Sequence, residues 1–168
     1  SISGQAKQIT EEEVDKTIQD FLKSFKDKDT YKEIAFFGGS FTGIDMKLQE
    51  KLLRIAYRYV KNGKVDGIRV STRPDYIDKE KLKLLKKYGV KTIELGVQST
   101  NDYILKKCKR GHTYKDVVKA SKLIRRNHFK LGHQMMIGLP ESTWLDELNT
   151  ARDLVKLKPK MVRLYPVL

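Results

Sequence analysis

A strand-like apolar run followed by an amphipathic helix recurs along this chain, and that repeat limits the possible folds more than any other feature. Strand starts lie roughly 25 to 40 residues apart, which is enough for a helical crossover between parallel strands. The pattern therefore predicts an α/β fold with about five βα units and a parallel sheet. The predicted strands are 33–37, 67–71, 91–97, 130–137 and 161–165, and the predicted helices start near Thr10, Met46, Asp78, Asp102, Thr113 and either Ser142 or Thr143.

Repeat spacing fits both an open doubly wound sheet and an incomplete barrel, so the side-chain pattern has to separate them. Alternate strand residues share one face of a sheet. One face is apolar on every strand, as with Val162 and Leu164, and suits helices packed outside. The other face is polar on four strands, which is costly in a closed core unless the groups pair or bind something. These residues are Arg69, Ser71 and Arg73; Glu94, Gly96 and Gln98; Gly132, Gln134 and Met136; and Arg163 and Tyr165.

This polar face favours a partial (β/α) barrel whose lumen is hydrophilic and holds a ligand. The alternative is a buried network of Arg and Glu side chains that only supports the fold. In either case we expect Arg69, Glu94, Gln98 and Arg163 to lie close together in the lumen.

A glycine pair marks the first loop after a strand, in the segment EIAFFGGSFTG from Glu33 to Gly43. In parallel α/β folds, ligands bind at this carboxyl edge of the sheet. Gly38 and Gly39 let a ligand approach the backbone closely, and Ser40 adds a hydroxyl. The alternative is a tight turn that needs glycine for its geometry alone.

Composition limits the remaining possibilities. With 168 residues, 39% of them hydrophobic, we expect one domain spanning residues 1–168. The sequence has no run of about 18 apolar residues and no secretory leader, so we expect a cytoplasmic protein without a membrane span. Cys108 is the single cysteine, which excludes an internal disulfide and any site built from several thiolates of this chain.

The net charge of +14 favours a polyanionic partner such as nucleic acid. A basic nucleic-acid-binding module without catalysis is therefore one functional hypothesis. Most of the lysines fall on helix faces that must be solvated in any case, so charge alone leaves the partner open.

Five spaced motifs give the sequence a specific resemblance: FFGGSFTG, STRPDYID, IELGVQS, KRGHT and MMIGLP, in that order between Glu33 and Pro140. Together they resemble the radical S-adenosylmethionine (SAM) superfamily, and within it the branch of the Elongator catalytic subunit. Oxygen-independent coproporphyrinogen oxidases share the general part of the pattern and form the alternative branch.

The resemblance implies a partial (β/α) barrel with six strands, of which the five predicted here would be the second to sixth. Members carry a three-cysteine motif after the first strand, and it does not occur in this chain. A segment like SISGQ at residues 1–5 follows that cysteine loop in relatives. We therefore expect a radical SAM core without its first strand and cluster loop, so that a [4Fe–4S] cluster would be bound only in a longer parent protein.

The resemblance also implies which residues hold SAM. The loop of Gly38, Gly39 and Ser40 would contact the methionine amino group, while Gln98 would bond the ribose hydroxyls. The other implied SAM contacts are Ser71 and Arg73, at the ribose or carboxylate, and Ile137, Gly138 and Leu139, at the adenine. Residues left over in the lumen are substrate candidates, namely Arg69, Glu94, Gln134, Arg163 and Tyr165.

The sequence contains three histidines with no metal-ligand spacing. His112 belongs to the RGH element, Arg110 to His112, and its alternative role is that of a turn residue beside the Thr113 helix cap. We expect His128 on the surface and His133 in the barrel wall.

The implied function is cleavage of SAM to a 5′-deoxyadenosyl radical, with tRNA as the substrate to be modified. We expect this chain alone to be inactive, with weak or no affinity for SAM, because the iron anchor is missing. A different enzyme class also fits: a non-radical barrel enzyme acting on a phosphorylated metabolite, with the Gly38–Gly39 loop binding phosphate and Glu94 as the base.

Overall fold

The computed structural model describes residues 10–25 and 30–167, so the SISGQ segment lies outside the described residues. Five strands alternate with helices, as the sequence predicts. The strands are β1 (Glu33–Phe36), β2 (Gly67–Thr72), β3 (Val90–Gln98), β4 (Lys130–Ile137) and β5 (Met161–Pro166). The helices are α1 (Glu11–Ser24), α2 (Met46–Lys61), α3 (Lys79–Lys87), α4 (Asp102–Lys107), α5 (Tyr114–Arg126) and α6 (Trp144–Lys156).

The five strands form one parallel sheet in the order β1-β2-β3-β4-β5. Side chains of β5 reach across to the far strands: Met161 Sδ lies 3.7 Å from Arg69 Nη1 on β2. The guanidinium carbon of Arg163 lies 5.5 Å from the ring centre of Phe37, the residue after β1. Such contacts require the sheet to curl, and the five strands accordingly form a half-barrel. The prediction of a partial (β/α) barrel is confirmed.

The apolar core lies on the outer, helix-covered face of the half-barrel. Ile68, Ile93 and Leu95 of the strands are fully buried there against α2, α3 and α5. Each such side chain contributes about 1.5–3 kcal/mol of burial free energy. The lumen is therefore left to the polar face of each strand, which places the candidate site.

Helix caps fix where each loop ends and the next helix begins. Thr10, Thr113 and Thr143 each form a capping box with an acidic residue three positions later, which identifies Thr143 rather than Ser142 as the cap of α6. Asp45 caps α2 with its carboxylate. The loop from Phe37 to Asp45 is thus held at both ends, by β1 and by a capped helix.

The outer face of β5 departs from prediction. Val162 and Leu164 were expected beneath helices, but they are 41% and 58% exposed. On α6, Val155 is likewise 70% exposed, while Leu154 alone of that helix's apolar residues is fully buried. β5 is an edge strand, so only one side of it has a neighbouring strand and helix. The expected cover is absent from the described part of the chain.

Among the described residues, none of the helices combines the length and apolar character required for a transmembrane segment.

Candidate cofactor site

The lumen is organised around the carboxylate of Glu94, which is fully buried on β3. Its Oε1 accepts a hydrogen bond from Arg69 Nη1 at 2.6 Å, and its Oε2 accepts one from Gln134 Nε2 at 3.0 Å. Arg163 Nε lies 3.3 Å from the same Oε1. Side chains of three strands therefore converge on Glu94, and Glu33 of β1 joins the group by pairing with Arg69. Of the four residues that the sequence predicts to lie close together, Arg69, Glu94 and Arg163 meet here, while Gln98 takes no part in these hydrogen bonds and ion pairs.

This lumen cluster of Glu33, Arg69, Glu94 and Arg163 has equal numbers of acidic and basic groups. Gly132 of β4 makes room for it, because a Cβ at that position would lie 2.8 Å from Glu94 Cγ. Buried ion pairs are tolerated when hydrogen bonds satisfy their remaining polar atoms, and Gln134 does so here. The cluster thus supports the fold as well as lining the lumen.

Above the cluster, β3 ends in a strained turn at Gln98. The Ser99 N–H donates to the Val97 carbonyl at 2.9 Å, and Gln98 has φ 69°, which together define a γ-turn. A positive φ at a residue other than glycine is uncommon and clusters at functional sites. The turn places the Gln98 amide over Gly96, where a Cβ would lie 3.2 Å from Nε2.

The Gln98 side chain has an unmet acceptor. Its Oε1 is buried and has no hydrogen-bond partner within residues 10–25 and 30–167. A buried amide oxygen left unpaired costs about 1–3 kcal/mol, so a ligand hydroxyl bonded there would recover that energy.

The RGH element, Arg110 to His112, packs against this turn through His112. His112 is buried, and its Nε2 lies 3.1 Å from the Val97 carbonyl, so that nitrogen carries the proton and donates it. Burial lowers the pKa of His112, against the opposing effect of that hydrogen bond. His112 therefore acts in the γ-turn rather than as a helix cap. Arg110 Nε and His112 Nδ1 are buried beside it with no partner in the described ranges.

The glycine loop after β1 is open. Gly38 has φ 91°, and a Cβ at Gly38 or Gly39 would have no neighbour within 4 Å. Ser40 precedes a single 3₁₀ turn, Phe41–Gly43, and its hydroxyl does not cap that turn. The loop therefore offers backbone groups and a hydroxyl with space in front of them.

Two predicted SAM contacts already have protein partners. Ser71 Oγ accepts a hydrogen bond from Gln134 Nε2 at 3.1 Å, so Ser71 lies next to the lumen cluster. Arg73 was expected on the same lumen face as Ser71. β2 ends at Thr72, and the guanidinium of Arg73 pairs with Asp75 at 2.7 Å and stacks on Tyr76. These contacts engage the Arg73 guanidinium within the protein, and its contact with SAM stays a prediction.

The carboxyl end of β4 is also engaged. The Gly138 N–H donates to Glu147 Oε1 at 2.7 Å, and the Ile137 carbonyl accepts from Val167 N at 2.8 Å. Leu139 is buried, and Ile137 is 37% exposed. Apolar surface for a purine ring is thus available at Ile137, while two of the backbone groups nearby are used within the protein.

Sequence reasoning missed Glu33 and Phe37. Both face the lumen, because they alternate with Ile34 and Phe36 of β1, which pack on the helix side. The alternation of the strand could have identified them.

The residues at this edge can be compared with the two cofactors that the resemblance implies, SAM and a [4Fe–4S] cluster. SAM fits: the unpaired Gln98 oxygen and the open Gly38–Gly39 loop both lie at the carboxyl edge of the half-barrel. The [4Fe–4S] cluster does not fit this chain, which has one cysteine where three thiolates are needed. No group of three or more His, Cys, Asp or Glu side chains in the described portion could hold a metal ion.

Comparison with known proteins agrees with this geometry. The family model of the Radical SAM superfamily matches residues 3–154. A tRNA uridine(34) acetyltransferase of Methanocaldococcus jannaschii is 35% identical over 102 residues, covering 59% of this chain and 19% of that protein.

Two solved structures share the fold. The archaeal Elp3 of Methanocaldococcus infernus, in a form with an N-terminal deletion, superposes with TM-score 0.79 at 27% identity, over 93% of this chain and 41% of that one. Coproporphyrinogen III oxidase of Escherichia coli gives TM-score 0.66 at 16% identity over 80% of this chain and 31% of that one, which shows the fold alone. The chain thus spans less than half the length of each protein it matches here.

Proposed function

This chain belongs to the radical SAM superfamily and is related to Elp3-type tRNA uridine acetyltransferases, and from that premise we propose that it forms the SAM-binding portion of a tRNA-modifying enzyme. The observation that carries the proposal is Gln98, whose buried amide oxygen is unpaired in a strained turn at the carboxyl edge of the sheet.

The proposed roles follow from the donors and acceptors at that edge. Gln98 Oε1 accepts a hydrogen bond from a ribose hydroxyl, and His112 keeps the γ-turn in place by donating to Val97. The backbone carbonyls of Gly38 and Gly39, with the Ser40 hydroxyl, receive the methionine amino group. Ile137 offers apolar surface to the adenine.

Radical chemistry depends on a group that these 168 residues do not hold by themselves. When bound, a reduced [4Fe–4S] cluster supplies the electron that cleaves SAM to a 5′-deoxyadenosyl radical. Its thiolates must come from outside this chain. We therefore propose that the chain alone binds SAM weakly and releases no 5′-deoxyadenosine.

The proposed tRNA substrate is supported by the relatives and by charge. The net charge of +14 favours a phosphate-rich partner. The named relative from M. jannaschii acts on uridine 34 of tRNA. Together they favour tRNA over a small uncharged metabolite.

Glu94 is poorly suited to be the base of a non-radical enzyme. Both of its oxygens accept hydrogen bonds, from Arg69 and Gln134, and the residue is fully buried. A general base must lie within hydrogen-bond reach of the substrate proton, and the Glu94 carboxylate is fully buried behind Arg69 and Gln134. The hypothesis of a phosphorylated metabolite handled by Glu94 is therefore disfavoured.

The test is anaerobic reconstitution of the complete protein encoded by the parent gene, followed by measurement of 5′-deoxyadenosine with and without tRNA. We expect release that depends on SAM and reductant, and that Gln98→Leu lowers it about tenfold or more by removing the ribose contact. Gln49→Leu is the matched control, since Gln49 is also a buried glutamine with an unpaired Oε1 but lies on α2. Full activity in Gln98→Leu, or no SAM cleavage at all, refutes the proposal.

A further inference from the structure

The guanidinium of Arg163 is the least engaged charged group in the lumen. Its one ion-pair contact is the 3.3 Å approach of Nε to Glu94 Oε1, an oxygen that already accepts a 2.6 Å bond from Arg69. In residues 10–25 and 30–167 it makes no hydrogen bond, and its side chain is 38% exposed. Within those residues, therefore, the donors of its two Nη groups have no protein acceptor.

Two aromatic residues share the lumen face with this guanidinium, one beside each edge strand of the sheet. Phe37 follows edge strand β1 and is 49% exposed, and its ring centre lies 5.5 Å from the guanidinium carbon of Arg163. Tyr165, two residues along edge strand β5 and so on the same face, is 37% exposed. The contact between Arg163 and Phe37 spans the gap between β1 and β5. The three side chains thus mark the open side of the half-barrel.

The position of this group separates it from the proposed SAM contacts. Those contacts lie on the loop after β1 and at the ends of β3 and β4, whereas Arg163 lies within β5, paired with Gln134 in the ladder. Phe37 directly precedes Gly38. A molecule held against Arg163 would therefore sit beside SAM, as a substrate that reacts with it must.

We propose that Arg163, held by Phe37 and assisted by the Tyr165 hydroxyl, forms a subsite for an oxyanion of the substrate, either a phosphate or a carboxylate. A guanidinium with free Nη donors matches either anion in a two-pronged, charge-assisted arrangement. The inference rests on the proposed function, because it assumes a substrate next to SAM. It adds a chemical requirement, namely that this substrate is anionic near its reacting part.

The charge balance of the lumen cluster defines the competing explanation. Arg163 could serve only to neutralise Glu94, since Glu33 and Glu94 face one other cation, Arg69. Arg163→Lys separates the two roles: it keeps the positive charge beside Glu94 but removes the forked donors. Arg163→Gln removes both.

The experiment titrates the 168-residue chain at low salt with three probes and follows binding by calorimetry and by the Arg163 Nε–H signal in NMR spectra. The probes are uridine 5′-monophosphate (a phosphate), orotate (a carboxylate) and uridine (neither). We expect at least one anionic probe to bind about tenfold or more tightly than uridine, and both Arg163 variants to lose that preference. Phe37→Leu should weaken the same preference without changing any charge.

Arg152→Gln is the control, because Arg152 is an exposed arginine on α6. It should bind every probe as the wild type does, and thermal unfolding confirms that each variant is folded. The proposal is overturned if no anionic probe is preferred, if Arg163→Lys binds like the wild type, or if SAM displaces the probe by competing for Arg163. A separate SAM titration followed at Gln98 tests the proposed function, so the two can fail independently.

Discussion

At the scale of single residues, Glu94 joins three strands, since the guanidinium of Arg69, the amide of Gln134 and the charge of Arg163 all converge on it. The polar strand face was sufficient to predict from the sequence that Arg69, Glu94 and Arg163 lie close together. The pairing partner Glu33 was not predicted, although its alternation with the helix-facing Ile34 and Phe36 places it on the lumen face.

Removing the negative charge of Glu94 should destabilise the fold. Glu94→Gln leaves two cations, Arg69 and Arg163, with Glu33 as the one remaining carboxylate of the lumen cluster, so we expect the free energy of unfolding to fall by about 3 kcal/mol in urea denaturation. Glu11→Gln is the control, because its ion pair with Lys51 is more than half exposed. It should cost less than about 1 kcal/mol. Equal effects of the two changes would contradict the structural role given to the lumen cluster.

His133 makes the stability depend on pH. Burial lowers its pKa to about 4, while its unfolded value lies near 6.5. The unfolded chain therefore binds the proton first, so this contribution to stability is complete above about pH 6.5 and is lost as the pH falls toward 4. We expect a loss of about 3 kcal/mol over that interval.

Urea denaturation at a series of pH values measures this loss. His133→Gln should flatten the curve between pH 6.5 and 4, apart from a smaller contribution of His112, whose pKa is also lowered by burial. His128→Asn is the control, because His128 is exposed and its φ of 64° suits asparagine. An unchanged slope in His133→Gln would refute the assignment.

At the scale of elements, close spacing of β3, β4 and β5 depends on Gly132. A Cβ there would lie 2.8 Å from Glu94 Cγ and 3.1 Å from Met161 Cγ. Gly132→Ala should therefore lower the free energy of unfolding by about 2 kcal/mol, measured by urea denaturation. Gly39→Ala, with nothing within 4 Å of its Cβ, should change it by less than about 0.5 kcal/mol. A neutral Gly132→Ala would show that the strands are spaced more widely.

The starts of the helices and the faces of the strands could be predicted from local sequence signals. Helix caps such as Thr113 and Asp45 gave the helix starts, and strand alternation gave the faces. The γ-turn at Gln98 was not predictable, since a positive φ there arises from tertiary contacts such as the His112 hydrogen bond to Val97.

At the scale of the whole molecule, curling of the sheet brings its two edges together. Repeat spacing alone left an open sheet possible, and only the polar face on several strands favoured the half-barrel. The apolar outer residues Val162 and Leu164 remain exposed in the described chain. Periodicity identifies an apolar face, but it does not say which element covers it.

The net charge of +14 is also a property of the whole molecule. If tRNA binds through phosphate contacts, raising the salt concentration from 50 to 200 mM should weaken its binding by about tenfold or more, measured by filter binding or fluorescence anisotropy. An equally charged heparin competitor controls for unspecific attraction, and tRNA should be retained better. Salt-insensitive binding would contradict an electrostatic contact.

The most direct test of the central claim, that the polar carboxyl edge of this half-barrel holds SAM, is an NMR titration of the chain with SAM at millimolar concentration. We expect the backbone signals of Gly38, Gly39 and Gln98 and the Gln98 amide to shift together, and Gln98→Leu to weaken that response. Shifts confined to other regions, or none at all, would contradict the claim.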